Sequence, residues 1–165
     1  RVVDVMTAFP GLLLSILLVA VWGGGMWKVI AILGFTSWVG VTRITRAQLL
    51  ALREKEYVEA AQVIGRHPII IMARHVLPNV MGPVLVIATI NLALAIIIEA
   101  TLSFLGVGIP ATEPSLGTML RIGNDYLFSG EWWITVFPGA ALAILVLAVN
   151  LLGDWMRDAF NPKLR

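Results

Sequence analysis

The chain contains no cysteine, so neither a disulfide framework nor a thiolate metal site is available to it. Charge is also scarce. Only 13% of the 165 residues are Asp, Glu, Lys or Arg, where soluble domains carry about 25%. The net charge of +2 gives little to attract nucleic acid. A phosphate-binding loop needs Gly-Lys followed by Ser or Thr, and Lys28, Lys55 and Lys163 all lack that context. Gly106-Val107-Gly108 lacks the third glycine of a dinucleotide fingerprint and reads as a loop. The two histidines, His67 and His75, are separated by Pro68 and have no evident third ligand. Asp154 and Asp158 share a helix face with Arg157 between them, which decorates a wet helix better than it makes an acid–base pair. These absences leave no catalytic constellation and no metal site.

What the chain has is apolar surface, 59% of its residues, with a mean hydropathy of +0.90. A bilayer-crossing helix needs about 20 mostly apolar residues, and four stretches come near that length. They are Val5–Trp22, with Pro10 near its start; Met26–Thr42, with Lys28 near one end; Asn79–Ile98, free of charge; and Ile134–Leu152, with Pro138 near its start. Gly23-Gly24-Gly25 separates the first two as a tight turn would. Buried helices of a large soluble protein would look similar one at a time. Four in so short a chain leave too little polar surface to cover them. The sequence therefore predicts an all-α, polytopic membrane protein. Arg1 is not an initiating methionine, and the natural start is expected upstream.

Loop charge sets the expected orientation. Arg43, Arg46, Arg53, Lys55, Arg66 and Arg74 lie between the second and third stretches, and Arg157, Lys163 and Arg165 follow the fourth. Residues 101–133 carry Arg121 alone against Glu113, Asp125 and Glu131. Lys and Arg are retained on the cytoplasmic side. Residues 43–78 and both chain ends are expected inside, and residues 101–133 outside. Gly106, Gly108, Pro110, Pro114 and Gly117 punctuate the outer segment, and Trp132-Trp133 closes it at interface depth.

The inner segment reads as two short helices with a glycine joint. Thr45–Ile64 carries an apolar stripe and a charged face, Gly65 suits a helix C-terminus, and Pro68 blocks continuation. A second helix, Ile69–Leu77, is expected to end at Pro78. On the residues alone, an amphipathic helix lying on the membrane surface shows the same pattern.

Glu59-Ala60-Ala61, then Gly65 after three residues, then Leu77-Pro78 twelve positions further on, resembles the EAA loop of permease subunits of ATP-binding-cassette importers. The run Arg74-His75-Val76-Leu77-Pro78-Asn79-Val80 is similar to the dipeptide, oligopeptide and nickel branch of that family, although His75 stands where an aliphatic residue is usual. Ala8-Phe9-Pro10, Glu99–Gly108, Asn150–Asp154, Arg157-Asp158 and Asn161-Pro162 extend the likeness along the whole chain, the last blocks resembling the second permease chain of peptide importers. The resemblance implies a type I importer permease with six spans, four of them visible here. It also implies coupling of ATPase motion to alternating access through Glu59, Ala60, Ala61, Gly65, Leu77 and Pro78. The implied partners are a homologous permease subunit, two ATPases that carry ATP and Mg, and an extracytoplasmic binding protein. The chain itself would bind no cofactor and catalyse nothing. Its place would be the bacterial inner membrane, and its solute a di- or oligopeptide, or else nickel or a metal chelate. A reading from a different class is a small four-helix channel or scaffold.

Three polar residues fall at membrane depth. Glu99 could contact solute or cap its helix at the headgroups. Asn91 and Asn150 could line a polar path or bond between helices.

Overall fold

The computed structural model describes residues 2–159, excepting the side chains of Val2 and His75. Asn161-Pro162, Lys163 and Arg165 lie outside the described residues, as does Arg1. Among the described residues every regular element is helical. In chain order these are α1 (Val2–Thr7), α2 (Gly11–Trp22), α3 (Met26–Arg53), α4 (Glu56–Val63) and α5 (Pro68–Ile71). A π-helical turn (Met72–Val76), α6 (Leu77–Phe104), α7 (Leu116–Tyr126), a 3-10 turn (Leu127–Ser129) and α8 (Trp133–Ala159) complete the chain.

Two of these helices, α6 and α8, have the length and hydropathy to cross a bilayer. They contain the expected third and fourth stretches. Only 6% of the most apolar window of each is buried within the chain. Core helices of a soluble protein would be mostly covered, so this apolar surface needs lipid or other helices against it.

The first expected stretch, Val5–Trp22, is not one helix. Pro10 holds an extended conformation, ψ 125°, and α2 starts beyond it. A proline pushes the residue before it out of the helical region, which ends α1 at Thr7. The 12 residues of α2 span about 18 Å, well short of a bilayer core. The second stretch errs the other way. α3 continues past Thr42 to Arg53, 28 residues in all. Arg43 and Arg46 change what surrounds the helix but do not stop it, and Ala47, Gln48, Leu49 and Leu50 all favour helix. The helix expected over Thr45–Ile64 is therefore the end of α3, a break at Glu54-Lys55, and α4.

Pro78 does not end a helix either. The backbone runs from α5 through the π-turn into α6, with Pro78 in the first turn of α6. Leu77 N donates to Met72 O, one residue further back than in an α-helix. That wider turn lets the chain pass a residue that has no N–H to give.

Small residues let the helices approach. Gly117 of α7 lies against the backbone of Ala100 in α6, and Gly123 of α7 against Ile134 in α8. α7 thus wedges between the two long helices, where the sequence suggested only a loop. Its start is fixed by a reciprocal cap: Thr118 N donates to Ser115 Oγ at 3.1 Å and Ser115 N to Thr118 Oγ1 at 3.0 Å. The Gly23–Gly25 turn docks on the segment after α6, where Gly25 N donates to Gly108 O at 3.2 Å. A side chain on Gly24 would strike Gly108 O.

Two apolar clusters hold the elements together. Val19, Val29, Ile32, Leu33, Leu102 and Ile109 join α2, α3 and the far end of α6. Val58, Ala61, Ile71, Val76 and Val80 join α4, α5 and the near end of α6. At the surface, Arg43 Nη2 lies 3.5 Å from Asp4 Oδ1 and 3.3 Å from Thr7 Oγ1, which puts α1 on the same side as the C-terminal part of α3.

Candidate functional site

The two short helices and their joint form one surface. Gly65 has φ +76°, a left-handed conformation that a residue with a side chain adopts at a cost. Gly65 N donates to Gln62 O at 2.9 Å and Arg66 N to Ala61 O at 3.2 Å, the paired bonds of a Schellman ending. The chain then turns at His67, whose Nδ1 accepts from Ile69 N at 3.4 Å and caps α5. The side chain of His75 lies outside the described residues. No group of three metal-ligating side chains occurs among the described residues.

The Glu59-Ala60-Ala61 triplet divides between two environments. Ala61 is buried in the cluster against Val58, Ile71, Val76 and Val80. Glu59 and Ala60 face outward. Around the joint a rim of large apolar side chains is left uncovered: Val63 is 87% exposed, Ile64 77% and Ile69 67%, with Ile70 and Met72 beside them. Sequence reasoning stressed the small residues and missed this rim. Its signal was present, since apolar residues flank Gly65-Arg66-His67-Pro68 on both sides.

Leu77 and Pro78 do not join that outward surface. They lie beyond the π-turn at the start of α6, both exposed. Pro78 lines a groove of about 850 Å³ with Gln48 of α3, Asn79, Gly82 and Pro83 of α6, and Arg157 of α8. Asn79 Nδ2 donates to Tyr57 Oη at 3.4 Å, linking α4 directly to α6.

The three polar residues at membrane depth are not brought together. Asn91 Nδ2 donates to Ile87 O of its own helix at 2.9 Å. Asn150 is exposed on α8. Glu99 is half-buried and hydrogen-bonded: Ser103 Oγ donates to its Oε1 at 2.8 Å and accepts from Ile109 N at 3.0 Å. Glu99 also borders a cavity of about 440 Å³ between α3, α6, α8 and the start of α7. The four-residue spacing of Glu99 and Ser103 on one helix face could have revealed their bond. The further bond to Ile109 depends on a turn that carries no pattern of its own. Trp132 and Trp133, at the start of α8, meet edge to face with ring centres 6.0 Å apart, and both are exposed.

Comparison with known proteins gives one family and many relatives. The family model described as "binding-protein-dependent transport system inner membrane component" matches residues 1–165. A provisionally named peptide transport system permease protein of Brucella suis is 44% identical over the whole chain and 55% of its own length. The dipeptide transport system permease protein DppC of Bacillus subtilis is 40% identical over the whole chain and 52% of its own length. The oligopeptide transport system permease protein OppC of the same organism is 39% identical, again over the whole chain, and 54% of its own length. The chain spans about half the length of the curated relatives it matches.

Proposed function

Because the chain belongs to the family of binding-protein-dependent transport system inner membrane components, we propose that it serves as the helical membrane part of an ATP-driven peptide importer. The names of its relatives support peptide as the solute. No metal-ligating group among the described residues favours the nickel reading. The heterodimeric pathway, the two ATPases and the delivering binding protein belong to this proposal, as does the orientation with residues 43–78 inside.

The observation that carries the proposal is the uncovered surface at the α4–α5 joint. Apolar side chains exposed to this degree mark a contact with protein or membrane, and the Glu59-Ala60-Ala61…Gly65 spacing beside them favours a docked ATPase. Glu59, Ala60 and the glycine joint allow close approach, while Ala61 anchors the surface to the start of α6 through Val76 and Val80. Movement of a docked ATPase therefore reaches α6 through packed side chains and through the Tyr57–Asn79 bond. Glu59, Ala60, Ala61 and Gly65 are the coupling residues in this scheme, and Leu77 and Pro78 form its connection to the membrane helix.

The test is uptake of a radiolabelled dipeptide into proteoliposomes holding the full protein that contains this chain, the second permease, two ATPases and the binding protein. Accumulation is expected only with ATP and the complete set. Peptide flux without the ATPases would show a channel and overturn the proposal. Full transport without the second permease would remove the heterodimer.

A further inference from the structure

We propose that the cavity beside Glu99 is a subsite for the positively charged α-ammonium group of the peptide in transit. The inference rests on the importer reading above and gives one of its residues a chemical task.

Three observations carry it. First, the Glu99 carboxylate is held in place but only half used. Ser103 Oγ occupies Oε1 at 2.8 Å, and Ser103 is itself fully buried and fixed by Ile109 N at 3.0 Å. Oε2 has no partner among the described residues. Second, no cation within the described chain neutralises Glu99. Lys28 Nζ, at the start of α3, donates to Trp22 O at 2.9 Å, and the Arg121 guanidinium lies over Gly106. A carboxylate on a membrane-spanning helix without a countercharge is costly and marks a functional position. Third, the cavity suits a small amphipathic guest. Its volume is about 440 Å³, within the roughly 300–1,000 Å³ typical of small-ligand pockets. Its walls are mostly apolar, with Val29, Ile30 and Leu33 from α3, Ile96 from α6, and Leu142 and Leu145 from α8.

A free dipeptide fits this chemistry. Its ammonium group supplies the missing charge, and an uncharged first side chain meets the aliphatic walls. A bare divalent cation fits poorly, because one carboxylate among aliphatic side chains leaves most coordination positions empty.

These 165 residues contain no cysteine, so the test needs only the cysteines elsewhere in the assembly replaced by serine. Leu145→Cys puts a thiol on the exposed wall of the cavity, in the full assembly of permeases, ATPases and binding protein. The rate of its labelling by a small thiol reagent is read with and without peptide. Alanyl-alanine is expected to slow labelling at least fivefold, and N-acetyl-alanyl-alanine, which has no ammonium group, less than twofold. Adding Glu99→Gln, which keeps an oxygen for Ser103, should abolish protection by the free dipeptide. Equal protection by both peptides, or protection that survives Glu99→Gln, overturns the subsite. So does lack of protection by either peptide in an assembly that accumulates alanyl-alanine. An assembly that accumulates no peptide at all overturns the importer reading instead, so the two failures are distinct.

Discussion

Gly153 of α8 lies flat against the side chain of Thr89 on α6. A Cβ at position 153 would collide with Thr89 Oγ1 and come to 3.0 Å from its Cβ. In a membrane, helices associate through close packing of this kind, since lipid is as apolar as the side chains it replaces. Gly153→Leu is expected to force α6 and α8 apart and lower stability by about 1–3 kcal/mol, as overpacking does. Among the described residues Thr89 Oγ1 bonds its own helix, to Val86 O at 2.8 Å. Thr89→Ala should therefore cost little alone and should restore much of the loss in a Gly153→Ala background. Thermal unfolding in detergent of the single and double variants checks both expectations.

Ser103→Ala should be more damaging than the loss of one hydroxyl suggests. It strips the buried Ile109 N of its acceptor and frees Glu99 Oε1 in one step. A buried donor left unsatisfied costs about 1–3 kcal/mol. The expected result is a lower melting temperature, together with faster exchange of the Ile109 amide in a hydrogen-exchange measurement.

Gly65 and Glu59 address the proposed coupling surface. Gly65→Pro imposes φ near −65° where the chain needs +76°, and it removes the N–H that bonds Gln62 O. Glu59→Lys reverses charge on an exposed position and leaves the fold alone. Both are expected to insert normally into the membrane but to lose at least tenfold in peptide uptake per ATP hydrolysed. Normal coupling in both reconstituted variants would refute the role of this surface.

Orientation is open to labelling. Glu54 and Glu113 are single exposed or half-exposed positions in the two charged segments. An impermeant thiol reagent applied to spheroplasts is expected to label Glu113→Cys and spare Glu54→Cys. The reverse pattern would invert the topology.

The helical class and the two charge-free spans were legible because composition and length decide them. Position along the backbone was less legible, for local reasons. Charge marked Arg43 as a boundary, but charge sets solvent and not dihedral angles, so α3 ran on. Pro10 and Pro78 carry the same signal with opposite outcomes: one separates two helices, the other is absorbed by the π-turn. α7 escaped notice because its first turn is capped by a Ser-Thr pair and its buried face is made of Gly117, Thr118 and Gly123, not large apolar residues. Of the site, Glu59 to Gly65 could be read as a motif. The apolar rim and the Glu99–Ser103–Ile109 chain needed the fold, because each depends on which residues a turn leaves uncovered or brings together.

The unbroken passage from the π-turn into α6 has a mechanical consequence. With 28 residues at about 1.5 Å each, α6 is about 42 Å long, with Pro83 inside it and, in the proposed coupling scheme, its pivot at the π-turn. A tilt of about 10° at that pivot displaces the other end by about 7 Å, from the helix length above. Glu99 lies near that far end, so in the proposed importer a small rocking at the coupling surface would be enlarged into a displacement beside the Glu99 cavity.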